Sequence, residues 1–192
     1  MSPTIIHLLL AICSATPLAT GSQHFALFLG RVTFAAPRSW GAIQAPASDT
    51  LEEVLFCIPN PISEGTPDAA NVLVQIRPAP KVPNFRAYTD SLFAIVTVGE
   101  AHLVLTDTTD ADHVRTIFWR GQQGATPYAI ADIFGVTQSL AVYIRTALPL
   151  LRRMPADWLP RVTKEVNGFL GSFAVDGAIL LPRIQAVGDS VR

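Results

Sequence analysis

Four consecutive apolar segments with short connections constrain the fold more strongly than any other feature of the sequence. They span Ala101–Thr106, Val114–Arg120, Tyr128–Phe134 and Ser139–Leu148. In the last segment apolar residues occur at every second position, which is the side-chain period of a strand. A parallel crossover needs a dozen or more residues, and these connections are too short to provide one. The sequence therefore predicts a four-strand antiparallel meander.

The region before the meander predicts further strands and one helix. Phe25–Leu29 and Val32–Ala35 are separated by two turn-tolerant residues, which indicates a hairpin. Leu51–Ile58 and Asn71–Arg77 predict two more strands, each followed by proline. The apolar period then becomes helical over Pro83–Val96. The apolar stripe of this predicted helix consists of Phe85, Tyr88, Leu92 and Ile95.

A second amphipathic helix is predicted after the meander, with Asp157 as its N-cap. Its apolar face would carry Trp158, Val162, Val166, Phe169 and Phe173. We expect Trp158, Phe169 and Phe173 to anchor this helix on one face of the meander, because an apolar sheet face must pack against another layer. The predicted fold class is therefore α+β: an antiparallel sheet with the N-terminal hairpin, two further strands and the meander, covered by two amphipathic helices.

Composition agrees with one folded domain and excludes some classes of function. The chain has 192 residues, of which 49% are hydrophobic and 15% charged, so it can bury a core. Its 14 basic and 15 acidic residues give a net charge of −1. This balance offers no basic surplus for binding nucleic acid. Two cysteines are too few for a disulfide scaffold or a cysteine-rich zinc module.

The N-terminus has most of the features of a secretory signal peptide. The apolar run Ile5–Ile12 is too short to span a membrane, and Ala19-Thr20-Gly21 offers small residues for cleavage before Ser22. No Lys or Arg precedes the run. Two other interpretations therefore stay open: a lipid anchor at Cys13, and a cytosolic protein that buries this segment.

The expected organisation is a signal peptide over 1–21, one domain over 22–176 and a C-terminal tail over 177–192. The mature protein would then be periplasmic or secreted, with no integral membrane span. Removal of the signal peptide would leave Cys57 as the remaining cysteine. Since Cys57 lies in an apolar strand, we expect it to be a buried free thiol that packs as a small hydrophobe.

The order of the predicted elements resembles that of the PsbP-like superfamily, which includes LpqN-type exported bacterial proteins. The resemblance runs from about Phe25 to Phe173. It is most specific at Val32-Thr33-Phe34-Ala35-Ala36-Pro37-Arg38-Ser39-Trp40 and at Phe169-Leu170-Gly171-Ser172-Phe173. The resemblance implies an antiparallel sheet with helices packed on it. It implies no shared catalytic residues.

Aromatic and arginine side chains on neighbouring meander strands form the candidate site. This mixture is typical of protein-binding surfaces. The alternative is a sheet face covered by a helix, with arginine stems lying over it. The candidate partner-binding residues are Arg115, Trp119, Arg120, Tyr128, Tyr143 and Arg145.

Other polar clusters are interpreted as structural. Asp107, Asp110 and Asp112 are expected in a loop that lacks the pattern of a calcium site, and Gly121–Gly124 is expected to be a turn. No histidine has a second ligand at helical spacing. We therefore expect no catalytic residue, metal or cofactor. The predicted function is that of an exported, non-enzymatic binding or assembly protein of the bacterial envelope, such as an inhibitor or immunity protein, with another protein as partner. The alternative is a small hydrolase with a spatially assembled Ser/His/Asp site.

Overall fold

The structure is a computed structural model. It describes residues 20–59, 70–79, 81, 84–98, 101–111, 113–123 and 126–179, with the backbone only for 101–111, 123 and 179. The predicted signal segment up to residue 19, including Cys13, lies outside these residues. So does most of the predicted C-terminal tail.

A seven-stranded antiparallel sheet forms the centre of the molecule, in the order β3-β4-β5-β9-β8-β7-β6. The meander β6–β9 is confirmed, and β5 pairs with β9, which joins the meander to the earlier strands. The strands are β3 Gly41–Gln44, β4 Glu52–Ile58, β5 Ala70–Pro78, β6 Ala101–Ala111, β7 Val114–Gln123, β8 Thr126–Val136 and β9 Leu140–Pro149.

Two predicted loops of the meander are strands. Strand β6 continues through Asp107 to Ala111, and Asp110 pairs with Arg115 across the ladder. Similarly, Gly121–Gln123 belong to β7, where Gly121 pairs with Tyr128. The polar residues that suggested loops still satisfy their backbone groups through ladder hydrogen bonds, so the strands extend beyond their apolar parts.

The N-terminal hairpin lies in a second sheet rather than in the main one. Strands β1 Ser22–Leu27 and β2 Val32–Pro37 pair with two short C-terminal strands, in the order β1-β2-β10-β11. The C-terminal strands are β10 Ala174–Val175 and β11 Ala178–Ile179. Residues 178–179, which the sequence places in the tail, therefore form part of this sheet.

The two helices lie on opposite faces of the seven-stranded sheet. Helix α1, Phe85–Val96, begins at Asn84, whose side chain accepts a hydrogen bond from the backbone N–H of Ala87. Helix α2, Trp158–Gly171, has Asp157 at its N-cap position, but that side chain makes no capping hydrogen bond. The α+β class with two helices is thus confirmed. None of the helices in the described ranges is long and apolar enough to cross a membrane.

The larger core cluster lies between the seven-stranded sheet, α2 and the second sheet. Here the two motifs that carry the family resemblance meet: the rings of Phe34 and Phe173 stack at 5.0 Å, and those of Trp40 and Phe169 lie 5.8 Å apart. Trp158, Phe169 and Phe173 are all buried. The ring contacts of Phe169 reach β2 and β4, so α2 packs on the N-terminal strands, in a core cluster that also includes meander residues such as Ile144.

Cys57 is buried in β4 and is disulfide-bonded. The sequence contains one other cysteine, Cys13, which lies outside the described residues. The expectation of a free thiol applies to a chain that has lost Cys13, and it stays a prediction.

Candidate binding cleft beside the first helix

Five of the six predicted partner-binding residues lie on the sheet face that α1 covers. Strand alternation places them there together, and α1 adds Leu92, Phe93 and Val96 to the same cluster. Arg120 follows Trp119 directly in β7 and therefore projects from the opposite face. The five are Arg115, Trp119, Tyr128, Tyr143 and Arg145.

These five side chains are mostly buried. Trp119, Tyr128, Tyr143 and Arg115 are between 1% and 7% exposed, and the Arg145 side chain is 15% exposed. Their arrangement corresponds to the alternative that the sequence left open, a sheet face covered by a helix. In this arrangement the aromatic and arginine groups contact α1 and each other.

An aspartate that the sequence analysis missed organises this face. Asp132 of β8 is completely buried. One of its oxygens accepts hydrogen bonds from the Tyr143 hydroxyl at 2.6 Å and from Arg145 Nε at 2.8 Å. The other accepts from Trp119 Nε1 at 2.7 Å and from Arg145 Nη2 at 3.2 Å. The carboxylate is thereby paired with a cation and fully hydrogen-bonded, the condition under which a buried charge is tolerated.

Two arginines connect this face to α1. Arg145 Nη2 donates to the backbone carbonyl of Val96 at 3.2 Å, and its guanidinium lies 5.4 Å from the centre of the Trp119 ring. Arg115 Nη1 donates to the Thr89 hydroxyl at 2.8 Å and also pairs with Asp90. The helix is therefore fixed at its middle and at its last residue.

The bond between Arg115 and Thr89 explains why the inward face of α1 differs from the predicted stripe. Thr89 is the buried residue of the helix, whereas Ile95, predicted to face inward, is 67% exposed. Thr89 can be the most buried residue of α1 because its hydroxyl accepts a hydrogen bond from Arg115. The spacing of apolar residues gives no sign of such a polar contact.

The environment of Tyr143 keeps its hydroxyl protonated. Burial raises the pKa of Tyr143 well above its ordinary value, and the Asp132 carboxylate raises it further, while Arg145 acts in the opposite direction. Tyr143 is therefore a hydrogen-bond donor to Asp132 at neutral pH.

Gly121 makes room for Trp119. A Cβ placed on Gly121 would lie 2.5 Å from the Trp119 ring, well inside van der Waals contact. The glycine that suggested a turn is thus required in β7 by close packing.

A cleft of about 350 Å³ of empty volume opens between α1 and the adjoining ends of β5, β8 and β9. Its polar side chains include Gln75, Arg77 and Tyr88. The apolar side chains include Leu92, Val96 and Phe134. Tyr88, Leu92 and Ile95 occupy positions i, i+4 and i+7, so the exposed Ile95 extends the cleft side of α1.

The structure describes the side chains of two histidines. His24 and His113 are both exposed, and neither has a hydrogen bond to serine or aspartate within the described chain. The described residues also contain no group of three or more His, Cys, Asp or Glu side chains placed to hold a metal ion.

Comparison with solved structures finds a similar fold in two proteins. The Ran-binding protein Mog1p of Saccharomyces cerevisiae matches at a TM-score of 0.52 and 16% identity, over 82% of this chain and 97% of that one. The cyanobacterial PsbP protein CyanoP of Synechocystis matches at 0.54 and 16% identity, over 85% and 98%. No family model and no curated protein matches the chain. The chain is thus similar to these proteins in fold, and the predicted resemblance is confirmed at that level.

Proposed function

We propose that this protein is a non-enzymatic binding or assembly protein whose partner is another protein, bound along the cleft side of α1. The observation that carries the proposal is the exposed Ile95 on the same side of the helix as cleft residues Tyr88 and Leu92. Together they give an apolar surface next to a polar rim, the pattern of a binding interface.

The predicted partner-binding residues have a supporting role in this proposal. Arg115 and Arg145 hold α1 against the sheet, so that the helix presents a fixed surface. A rigid interface loses less conformational entropy when it binds. Arg120 lies on the other face of the sheet and is not part of the proposed surface.

The fold supports a binding role by analogy. Mog1p is described as a Ran-binding protein, so a domain of this fold is used for protein binding elsewhere. We further propose that the protein acts outside the cytoplasm, as the segment Ile5–Ile12 and the small residues before Ser22 indicate. Inhibition of an envelope protein, as by an immunity protein, is the specific form of this function that we propose.

Affinity capture tests the proposed function. The mature protein would be immobilised and exposed to an envelope extract of its native host, and the bound proteins identified by mass spectrometry. Ile95→Ser should reduce recovery of the main partner at least tenfold. Leu29→Ser is the matched control because Leu29 is also an exposed large apolar residue but lies at the β1–β2 turn. Recovery of no partner would contradict a binding function, and loss with Leu29→Ser alone would contradict the proposed surface.

A further inference from the structure

We infer that the cleft beside α1 binds a carboxylate side chain of the partner, an Asp or Glu that is flanked by an apolar residue. This inference rests on the proposed function and specifies the chemistry that the site recognises. It depends on three features of the cleft: an arginine without a carboxylate, a tyrosine hydroxyl without a partner, and apolar walls.

Arg77 carries an uncompensated positive charge at the cleft. It is half-buried, and within the described residues its one hydrogen bond is from Nη2 to the side-chain oxygen of Gln75, at 3.2 Å. No carboxylate forms an ion pair with it in this part of the chain. A guanidinium has five N–H donors and binds carboxylates with two parallel hydrogen bonds, so most of its capacity is free for a ligand.

The hydrogen bond to Gln75 orients the Arg77 guanidinium without neutralising its positive charge. Gln75 accepts from Arg77 and donates through Nε2 to the carboxylate of Glu53 at 2.6 Å. The Gln75 amide therefore bridges the Glu53 carboxylate and the Arg77 guanidinium. A positioned but unpaired arginine is preorganised for an incoming anion, since little side-chain entropy is left to lose.

Tyr88 supplies a second donor. Its side chain lines the same cleft and has no hydrogen bond within the described residues. Burial raises the pKa of Tyr88, and the positive charge of Arg77 acts in the opposite direction, so the hydroxyl keeps its proton at neutral pH and stands within the field of Arg77. Both donors line one cleft, so we expect one carboxylate to accept hydrogen bonds from both.

The surroundings favour a polypeptide over a small acid. The empty volume of about 350 Å³ includes open solvent, and the cavity proper is about 30 Å³, far smaller than the roughly 300–1,000 Å³ usual for small-molecule pockets. The apolar surface continues past the cleft to Ile95. A segment with an acidic residue in the cleft and an apolar neighbour on Ile95 would use both parts.

Peptide titration followed by NMR tests this inference directly. The probes are acetyl-Leu-Glu-Leu-amide and its neutral counterpart acetyl-Leu-Gln-Leu-amide, added to the isotopically labelled protein. We expect saturable shifts at Leu92 and Val96 with the Glu peptide. Binding of the Gln peptide should be about tenfold weaker or more, because its amide has no charge to pair with Arg77. Arg77→Gln should abolish the difference between the peptides, and Tyr88→Phe should weaken binding of the Glu peptide several-fold. The control Arg152→Gln, at an exposed arginine away from the cleft, should change neither.

Several outcomes would overturn the inference. These are equal binding of the two peptides, absence of shifts at the cleft, or a difference that survives Arg77→Gln in a folded variant. Free 4-methylpentanoate that binds in the cleft ten times more tightly than the Glu peptide would identify a small acid as the ligand instead. If affinity capture yields a partner that depends on Ile95 but not on Arg77, the carboxylate inference falls and the proposed function stands.

Discussion

At the scale of single residues, Asp132 connects three side chains of the sheet face beneath α1. It is completely buried and accepts four hydrogen bonds, two of them from Arg145. Removing its charge takes away the carboxylate that pairs with the Arg145 guanidinium beneath the helix. Breaking a buried pair in this way typically costs about 3–5 kcal/mol.

Asp132→Asn is therefore expected to lower the free energy of unfolding by about 3 kcal/mol or more, measured by urea denaturation. Asp176→Asn is the matched control. Asp176 pairs with Arg31 at 2.8 Å, but both side chains are more than a third exposed. Its backbone φ is +51°, a conformation that asparagine also tolerates. The control should barely move the midpoint, and equal effects of the two variants would contradict the role given to Asp132.

The raised pKa of Tyr143 predicts that the free energy of unfolding falls in alkaline solution. Burial and Asp132 raise its pKa in the folded protein, whereas in the unfolded chain it titrates near its ordinary value of about 10. The contribution of Tyr143 is therefore complete below about pH 10 and is lost as the pH rises toward the folded pKa. The urea midpoint of the wild type should fall more steeply above pH 10 than that of Tyr143→Phe. If the urea midpoints of the two proteins fall in parallel from pH 9 to 11, Tyr143 ionises as easily in the folded protein as in the unfolded chain.

At the scale of elements, α2 is held by its aromatic side chains. Phe169 is 1% exposed and its ring lies 5.3–6.1 Å from the rings of Phe34, Trp40, Phe56 and Phe173. These contacts join the helix to β2, β4 and the following C-terminal segment. The helix therefore connects the two sheets.

Phe169→Ala should lower the free energy of unfolding by about 3–5 kcal/mol, because truncating a buried phenylalanine removes its contacts and leaves a cavity. Guanidinium denaturation measures this change. Arg152→Ala, at an exposed position before the helix, should leave the midpoint almost unchanged. If the two variants unfold at the same guanidinium concentration, α2 does not pack as described.

How much of the fold was predictable differs from element to element. The helices and meander strands carry long apolar periods, so their existence could be predicted from the sequence. Strands β10 and β11 have two residues each, too few to show a period. The face of α1 was predicted with Ile95 inward because periodicity counts apolar residues, whereas the Arg115 bond to Thr89 sets the actual rotation.

The sequence predicted which aromatic and arginine residues lie close together, but not that α1 buries them. Five of the candidate residues share one face, which strand alternation allows. Their burial depends on α1 crossing above them, a tertiary arrangement that the local sequence does not encode. Asp132 had a signal that was not used: a single charge within the apolar segment Tyr128–Phe134, which must find a partner if that strand is buried. Arg77 and Tyr88 come together only when β5 and α1 pack.

At the scale of the whole molecule, export with cleavage determines whether Cys57 can form a disulfide within the chain. Cleavage before Ser22 removes Cys13, so the mature protein would carry Cys57 as a free thiol. In the full chain Cys57 is disulfide-bonded. The protein isolated from its native host should begin at or near Ser22 by N-terminal sequencing and give one thiol per denatured chain without reductant. A protein that keeps Ile5–Ile12 and has no free thiol would contradict export with cleavage.

The central claim is that the protein binds a partner protein along the cleft side of α1. Site-specific photo-crosslinking in the native host tests it most directly. A photoreactive amino acid would replace Ile95, and in a second strain Lys164, which is exposed on α2 at the opposite face of the sheet. We predict a discrete cross-linked protein adduct from position 95 and none from position 164. Adducts from position 164 alone, or none from either position, would contradict the claim.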